Sequence, residues 1–198
     1  MDTFRAATTR RTIRLFQPKE IVASLMERIL EAGRLAPSAS NRQLLEFVVV
    51  QDPANREKLF KHLAWAGYVR PKRTPPEGAR PTAYVIVLVQ DKELTTLDAA
   101  DAGAAMENMI LAAWNDGVGS CWIWSVDRDK VKPLFDIPDD YTIFSVLAMG
   151  YPAEQPVTEV LTESNHYWLD ENNVLHVPKR RLSQILHYEI FKPKPVTK

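Results

Sequence analysis

A single cysteine, Cys121, stands in 198 residues, so no intrachain disulfide can form and a reducing compartment is expected. Apolar runs are short: Ala83–Val89 has the length of a strand, far below the ~20 residues that cross a bilayer. An excess of charge is missing too. The 25 Lys and Arg residues are balanced by 25 Asp and Glu, which removes the global field that favours nucleic acid or an anionic membrane. Met1-Asp2-Thr3-Phe4-Arg5 carries no apolar core of a signal or transit peptide. A cytoplasmic protein without nucleic-acid or membrane partners is expected.

Familiar catalytic motifs are also absent. No G-x-G-x-x-G and no G-x-x-x-x-G-K-[ST] occurs, which speaks against a Rossmann dinucleotide site and a P-loop. His62, His166, His176 and His187 never fall at metal-ligand spacing, so no metal site is expected and each reads as a lone surface histidine. There is no G-x-S-x-G elbow, and Cys121 lies in an apolar run where an inert buried thiol is the expectation. Chemistry carried out by such a chain falls to a cofactor.

What is present suits one domain over 1–198. Helices are expected over residues 2–8, from Pro18 to about Leu35, over Asn55–Leu63, Leu97–Asn115 and Asp129–Phe135. Strands are expected at Phe47–Val50, Tyr84–Val89, Ser120–Ser125 and Ser145–Met149, the first two as buried β-branched runs. The Leu97–Asn115 helix is apolar around much of its circumference, which requires burial on several sides. Residues 65–82 mix prolines, glycines and aromatics without a period: either a loop lying over something, such as a lid, or a floppy connection. Residues 153–198 hold four prolines and short apolar runs, too little for a separate core. That tail either frays or wraps a partner, and Trp168, Leu169, Leu182, Ile185 and Leu186 favour wrapping.

Two segments stand out. Arg10-Arg11-Thr12-Ile13-Arg14 packs three guanidinium groups and a hydroxyl into five residues, either an anion-binding fork or a solvated basic turn. Lys179-Arg180-Arg181 supplies a second basic cluster of the kind a dianionic phosphate needs. Ala36-Pro37-Ser38-Ala39-Ser40-Asn41-Arg42-Gln43 is a run of small and amide side chains suited to the polar edge of a flat ring.

With these residues assembled, the chain resembles the nitroreductase family of FMN-dependent oxidoreductases. The resemblance rests on the R-R-[ST]-x-R segment at Arg10–Arg14 and the A-P-S-x-x-N-x-Q segment at Ala36–Gln43. It is supported by Gly117–Ile123, Gly150-Tyr151-Pro152 and Val177–Leu182. It implies an α+β fold, a mixed and mostly antiparallel sheet flanked by helices, in an intertwined homodimer with 153–198 as an arm around the partner subunit. Carried over by position, Arg10, Arg11, Thr12 and Arg14 would hold the FMN phosphate and ribityl chain, with Lys179 and Arg181 completing the grip. Pro37, Ser38, Ala39, Asn41 and Gln43 would come from the opposite subunit, and Ile123, Trp124 and Ser125 would lie against the flavin ring. Trp124 stands where the family often has a small residue or Glu, and Leu44-Leu45 where it often has Pro-Trp.

The implied activity is ping-pong hydride transfer from NADH or NADPH through FMN to a small acceptor, a nitroaromatic or quinone. No side chain is singled out as a catalytic acid or base. The alternatives are specialised flavin chemistry, such as reductive dehalogenation or flavin fragmentation, and a flavin-binding dimer without turnover.

Overall fold

The structure is a computed structural model that describes residues 1–69 and 73–193. Four strands, β1 (Leu45–Val50), β2 (Ala83–Val89), β3 (Gly119–Ile123) and β4 (Thr142–Gly150), form one sheet in the order β1-β2-β4-β3, every ladder antiparallel. β2 and β4 are central and almost wholly buried, which is why they read as unbroken apolar runs. β1 is an edge strand among the described residues, and its Val49 is 36% exposed. The expected burial of that strand is thus corrected. Its β-branched residues satisfy the pleat, but one flank has no ladder partner.

One face of the sheet carries α2 (Ala23–Arg34) and α4 (Thr96–Asn115), sharing a core with Val85, Val87, Leu147 and Met149. The other face packs Ile86, Cys121, Ile143 and Val146 against Leu59 of α3 (Pro53–Phe60), Val131 of α5 (Arg128–Leu134) and Trp65. Capping explains where these helices begin. Asp2 caps α1 (Thr3–Thr9), Asp52 caps α3 ahead of Pro53, and Asp127 caps α5. Thr95 and Asp98 form a reciprocal capping box on α4.

The second helix starts at Ala23, not at Pro18. The Lys19 and Ile21 carbonyls accept hydrogen bonds from the Thr82 hydroxyl and the Gln51 amide, which fix the segment outside the helix. On α4, Ala102, Ala105, Met106, Met109, Ile110 and Ala113 are buried. A Cβ at Gly33 of α2 would sit 2.7 Å from Met109 Cγ, so a glycine lets the two helices meet.

The described part of the tail folds back on its own chain as a small sheet of β5 (Val157–Val160), β6 (Trp168–Leu169) and β7 (Leu175–Lys179), in the order β5-β7-β6. The β5–β7 pair is parallel, which makes the architecture mixed as well as mostly antiparallel. Only Leu175 of this sheet is fully buried. Residues 194–198 of the expected arm lie outside the described residues, as do 70–72 of the expected loop. No helix among the described residues is long and apolar enough to cross a membrane.

Candidate functional site

The Arg10–Arg14 segment lies on a platform of two glycines. Gly119 and Gly150 face each other across the β3–β4 ladder. A Cβ on Gly119 would come within 2.6 Å of Ile13 Cγ1, and one on Gly150 within 2.8 Å of Phe16 Cδ1. Ile13 and Phe16 are therefore sunk against bare backbone, 0% and 1% exposed. Ile13 N–H donates to the Ser120 carbonyl at 2.8 Å, Gln17 N–H to Tyr151 at 2.8 Å, and Ala153 N–H to Leu15 at 2.9 Å. The Gly117–Ile123 and Gly150–Pro152 motifs are the bed on which the basic segment rests.

Beside this bed opens a cavity of about 600 Å³. Six cationic side chains line it, Arg10, Arg11, Arg14, Lys179, Arg180 and Arg181, together with Thr12 and Thr158. Among the described residues a single carboxylate, that of Glu159, joins them. It is already engaged, accepting from Trp168 Nε1 at 2.8 Å and lying 3.1 Å from His176 Nδ1. Those contacts, the Trp168 bond foremost, hold its pKa below the ordinary value. Arg11 donates to the carbonyls of Thr8 and Arg10 and to Thr158 Oγ1 at 3.2 Å. Burial, and then the neighbouring Arg10 charge, lower the Arg11 pKa. Arg10 Nε reaches Glu107 of α4 at 3.0 Å, and the Arg14 guanidinium lies 5.2 Å from the Tyr167 ring centroid. Arg180 also donates to the Gln184 carbonyl.

The histidines are not all isolated. His176 stacks on Trp168 at 4.2 Å between Glu159 and Asp170, and His166 stacks on Tyr68 at 4.0 Å. Their partners come from other strands and loops, so sequence spacing gave no sign of them. No group of residues able to hold a metal ion occurs among the described residues. Cys121 is buried as expected, with its thiol pushed up to about 11 by desolvation.

Pro37, Ser38, Ala39, Asn41 and Gln43 sit elsewhere. A single turn of 3-10 helix at Ala39–Asn41 is followed by Gln43, and Ser40, Asn41 and Gln43 have φ of 52°, 55° and 54°. Such left-handed backbone in non-glycine residues needs support from its surroundings. Asp101 of α4 supplies it, accepting Ala39 N–H at 2.9 Å and holding Arg42 Nη2 at 3.1 Å. The nearly inaccessible Asp98 lies 2.8 Å from the same nitrogen. Pro37, Ser38 and Gln43 line a second cavity of about 120 Å³ with Leu45 and Phe47. It shares no lining residue with the first. Ile123, Trp124 and Ser125 border neither: Ile123 is buried, while Trp124 is 55% exposed and edge-on to Phe144 at 5.1 Å.

One chain therefore brings Arg10, Arg11, Thr12 and Arg14 together with Lys179 and Arg181. It leaves the amide-rich segment and Ile123–Ser125 outside that cavity. Sequence reasoning overlooked Thr158, Tyr167, Arg42, Asp98 and Asp101. Two acids three residues apart in the first turns of a largely apolar helix were the available signal for the last pair.

The family model described as the nitroreductase family matches residues 7–151. A protein of Methanothermobacter thermautotrophicus, provisionally named an NADH dehydrogenase/NAD(P)H nitroreductase, is 32% identical over 180 residues, 86% of this chain and 88% of that protein. Among solved structures, the Vibrio harveyi NADPH:FMN oxidoreductase complexed with NAD+ superposes with a TM-score of 0.72 at 22% identity, covering 98% of this chain and 79% of that one. A provisionally identified nitroreductase of Desulfovibrio desulfuricans in complex with FMN gives 0.69 at 24% identity, covering 97% and 99%.

Proposed function

Because the chain belongs to the nitroreductase family, we propose that it is an FMN-dependent oxidoreductase that takes hydride from NADH or NADPH and passes it to a small acceptor, a nitroaromatic or quinone. The observation that carries this reading is the cavity with six cations and one committed carboxylate. Its volume, about 600 Å³, falls in the range of sites for small molecules and cofactors. The crowding of Arg10 against Arg11 is relieved by a dianion, so the free protein is poised for a phosphate monoester.

In this reading Arg10, Arg11, Thr12 and Arg14 hold the phosphate and ribityl chain, and Lys179 and Arg181 close on it from β7 and the residues after it. When bound, FMN supplies the hydride chemistry, in two half-reactions that share one site. The protein's share is to orient the ring and exclude water from it. Pro37, Ser38, Ala39, Asn41 and Gln43, which do not line the cavity in one chain, come from the second subunit of a homodimer. Ile123, Trp124 and Ser125 flank the ring, with the exposed Trp124 indole narrowing the acceptor slot. The strongest support for the dimer is the tail beyond the small sheet. Leu182, Ile185, Tyr188, Ile190 and Phe191 are each more than half exposed, an apolar strip that an embrace of the partner would cover.

The test is anaerobic titration of the FMN-loaded protein. NADH or NADPH should bleach the flavin, a nitroaromatic or quinone should restore its colour, and initial rates should give parallel double-reciprocal lines. Failure to bind FMN, or bound FMN that resists both nucleotides, would overturn the assignment.

A further inference from the structure

Against the backbone of the basic segment lies a buried ion pair with no place in the scheme above. Glu154 and Arg73 are each 6% exposed in their side chains, with Arg73 Nε 3.3 Å from Glu154 Oε2. The other carboxylate oxygen of Glu154 accepts two consecutive backbone N–H groups, Arg14 at 2.5 Å and Leu15 at 3.1 Å. Arg73 Nη2 donates in turn to the Asn173 carbonyl, in the turn between β6 and β7. Farther along the same loop, the Ala79 carbonyl accepts the Phe16 N–H at 3.0 Å. Neither Glu154 nor Arg73 lines the cavity.

We infer that Glu154 and Arg73 are a positioning pair for the phosphate site: Glu154 sets the backbone from which Arg14 projects, and Arg73 ties that backbone to the loop and to the tail strand carrying Lys179. This rests on the FMN reading above and deepens it. A carboxylate oxygen that binds two successive N–H groups dictates the local backbone direction, because both bonds weaken steeply with angle. Arg73 neutralises Glu154 in turn, which allows a carboxylate to be buried there at all. Arg73 and Ala79 thus brace the phosphate segment from the side of the 65–82 stretch.

The consequence falls on the phosphate and spares the ring. Riboflavin shares the ring and lacks the phosphate, so the ratio of FMN to riboflavin affinity reports on this site alone. Glu154→Gln and Arg73→Gln should each weaken FMN binding at least tenfold while riboflavin affinity stays within twofold. Arg73→Lys, which keeps the charge and loses the fork, should recover part of the ratio. Binding is read by flavin fluorescence quenching, with the melting temperature of the flavin-free protein measured alongside. Should Glu154→Gln fail to fold, the two Arg73 variants carry the same test. Variants that keep the wild-type ratio, whether both affinities hold or both fall together, would overturn the proposal. A wild-type protein that does not prefer FMN to riboflavin would instead overturn the phosphate assignment itself, and this inference with it.

Discussion

The two segments that dock on α4 are held in opposite ways. Arg10–Arg14 rests on bare glycine backbone and turns its charges toward a cavity of about 600 Å³, where they crowd one another. Ser38–Gln43 has little cavity to serve, about 120 Å³, and carries its strain in the backbone, with three non-glycine residues at positive φ. The first keeps an electrostatic cost that a ligand can relieve. The second keeps a conformational cost that Asp98 and Asp101 relieve within the chain. An anion-binding segment has to stay unsatisfied until its anion arrives, whereas a shape-determining segment has to be satisfied beforehand.

The largest expected effect removes two of the cations that line the cavity. Each charge-assisted hydrogen bond is worth about 1.5–3 kcal/mol, so Arg11→Ala with Arg181→Ala should weaken FMN binding by about 3–6 kcal/mol, roughly 10²–10⁴-fold. Fluorescence titration reads it, and a loss below threefold would place the anion elsewhere and end the contrast. Next comes the satisfied segment. Asp98→Asn should destabilise the protein by about 1–3 kcal/mol at pH 7, because Arg42 loses one of its two charged partners.

That effect carries a pH signature. The hydrogen bond from Thr95, and then the Arg42 guanidinium, hold the Asp98 carboxyl below its ordinary range. A depressed folded-state pKa contributes stability that is complete above the unfolded value, about 3.9, and is lost as pH falls through the lower folded value. The difference between wild type and variant in urea melts should therefore shrink below about pH 4. A constant difference from pH 7 to pH 3 would show that the Asp98 charge does not matter.

The smallest effect probes the backbone. Ser40→Gly at φ 52° should stabilise by up to about 1 kcal/mol, as the left-handed cost of a Cβ slightly outweighs glycine's entropy. A fall in melting temperature would mean that Ser40 is unstrained.

Much of this fold can be read along the chain. The helices at 96–115 and 128–134 and the central strands differ from expectation by a few residues, because periodicity, caps and prolines act locally. The start of α2 was less legible, since two side chains from distant positions hold Pro18–Val22 out of the helix. The small tail sheet was hidden as well: β6 has two residues, and β5 pairs in parallel with a strand some twenty positions away. Of the site, both basic clusters were visible as composition. Glu154 and Arg73 were not, because a partner from a distant stretch of chain leaves no mark on a segment's own pattern, and Asp98 and Asp101 showed only as two acids at helical spacing.

The sequence by itself determined that charge is concentrated at 10–14 and 179–181, that small and amide residues cluster at 36–43, and that glycines stand at 119 and 150. Only the tertiary structure decided that the two basic clusters share one cavity, that the glycines form its bed, and that the amide-rich turn borders a separate cavity within one chain. Composition and local propensity act through neighbours in sequence. Which cations meet, and which carboxylate stands behind them, depends on strand order and on the close approach that two opposed glycines permit.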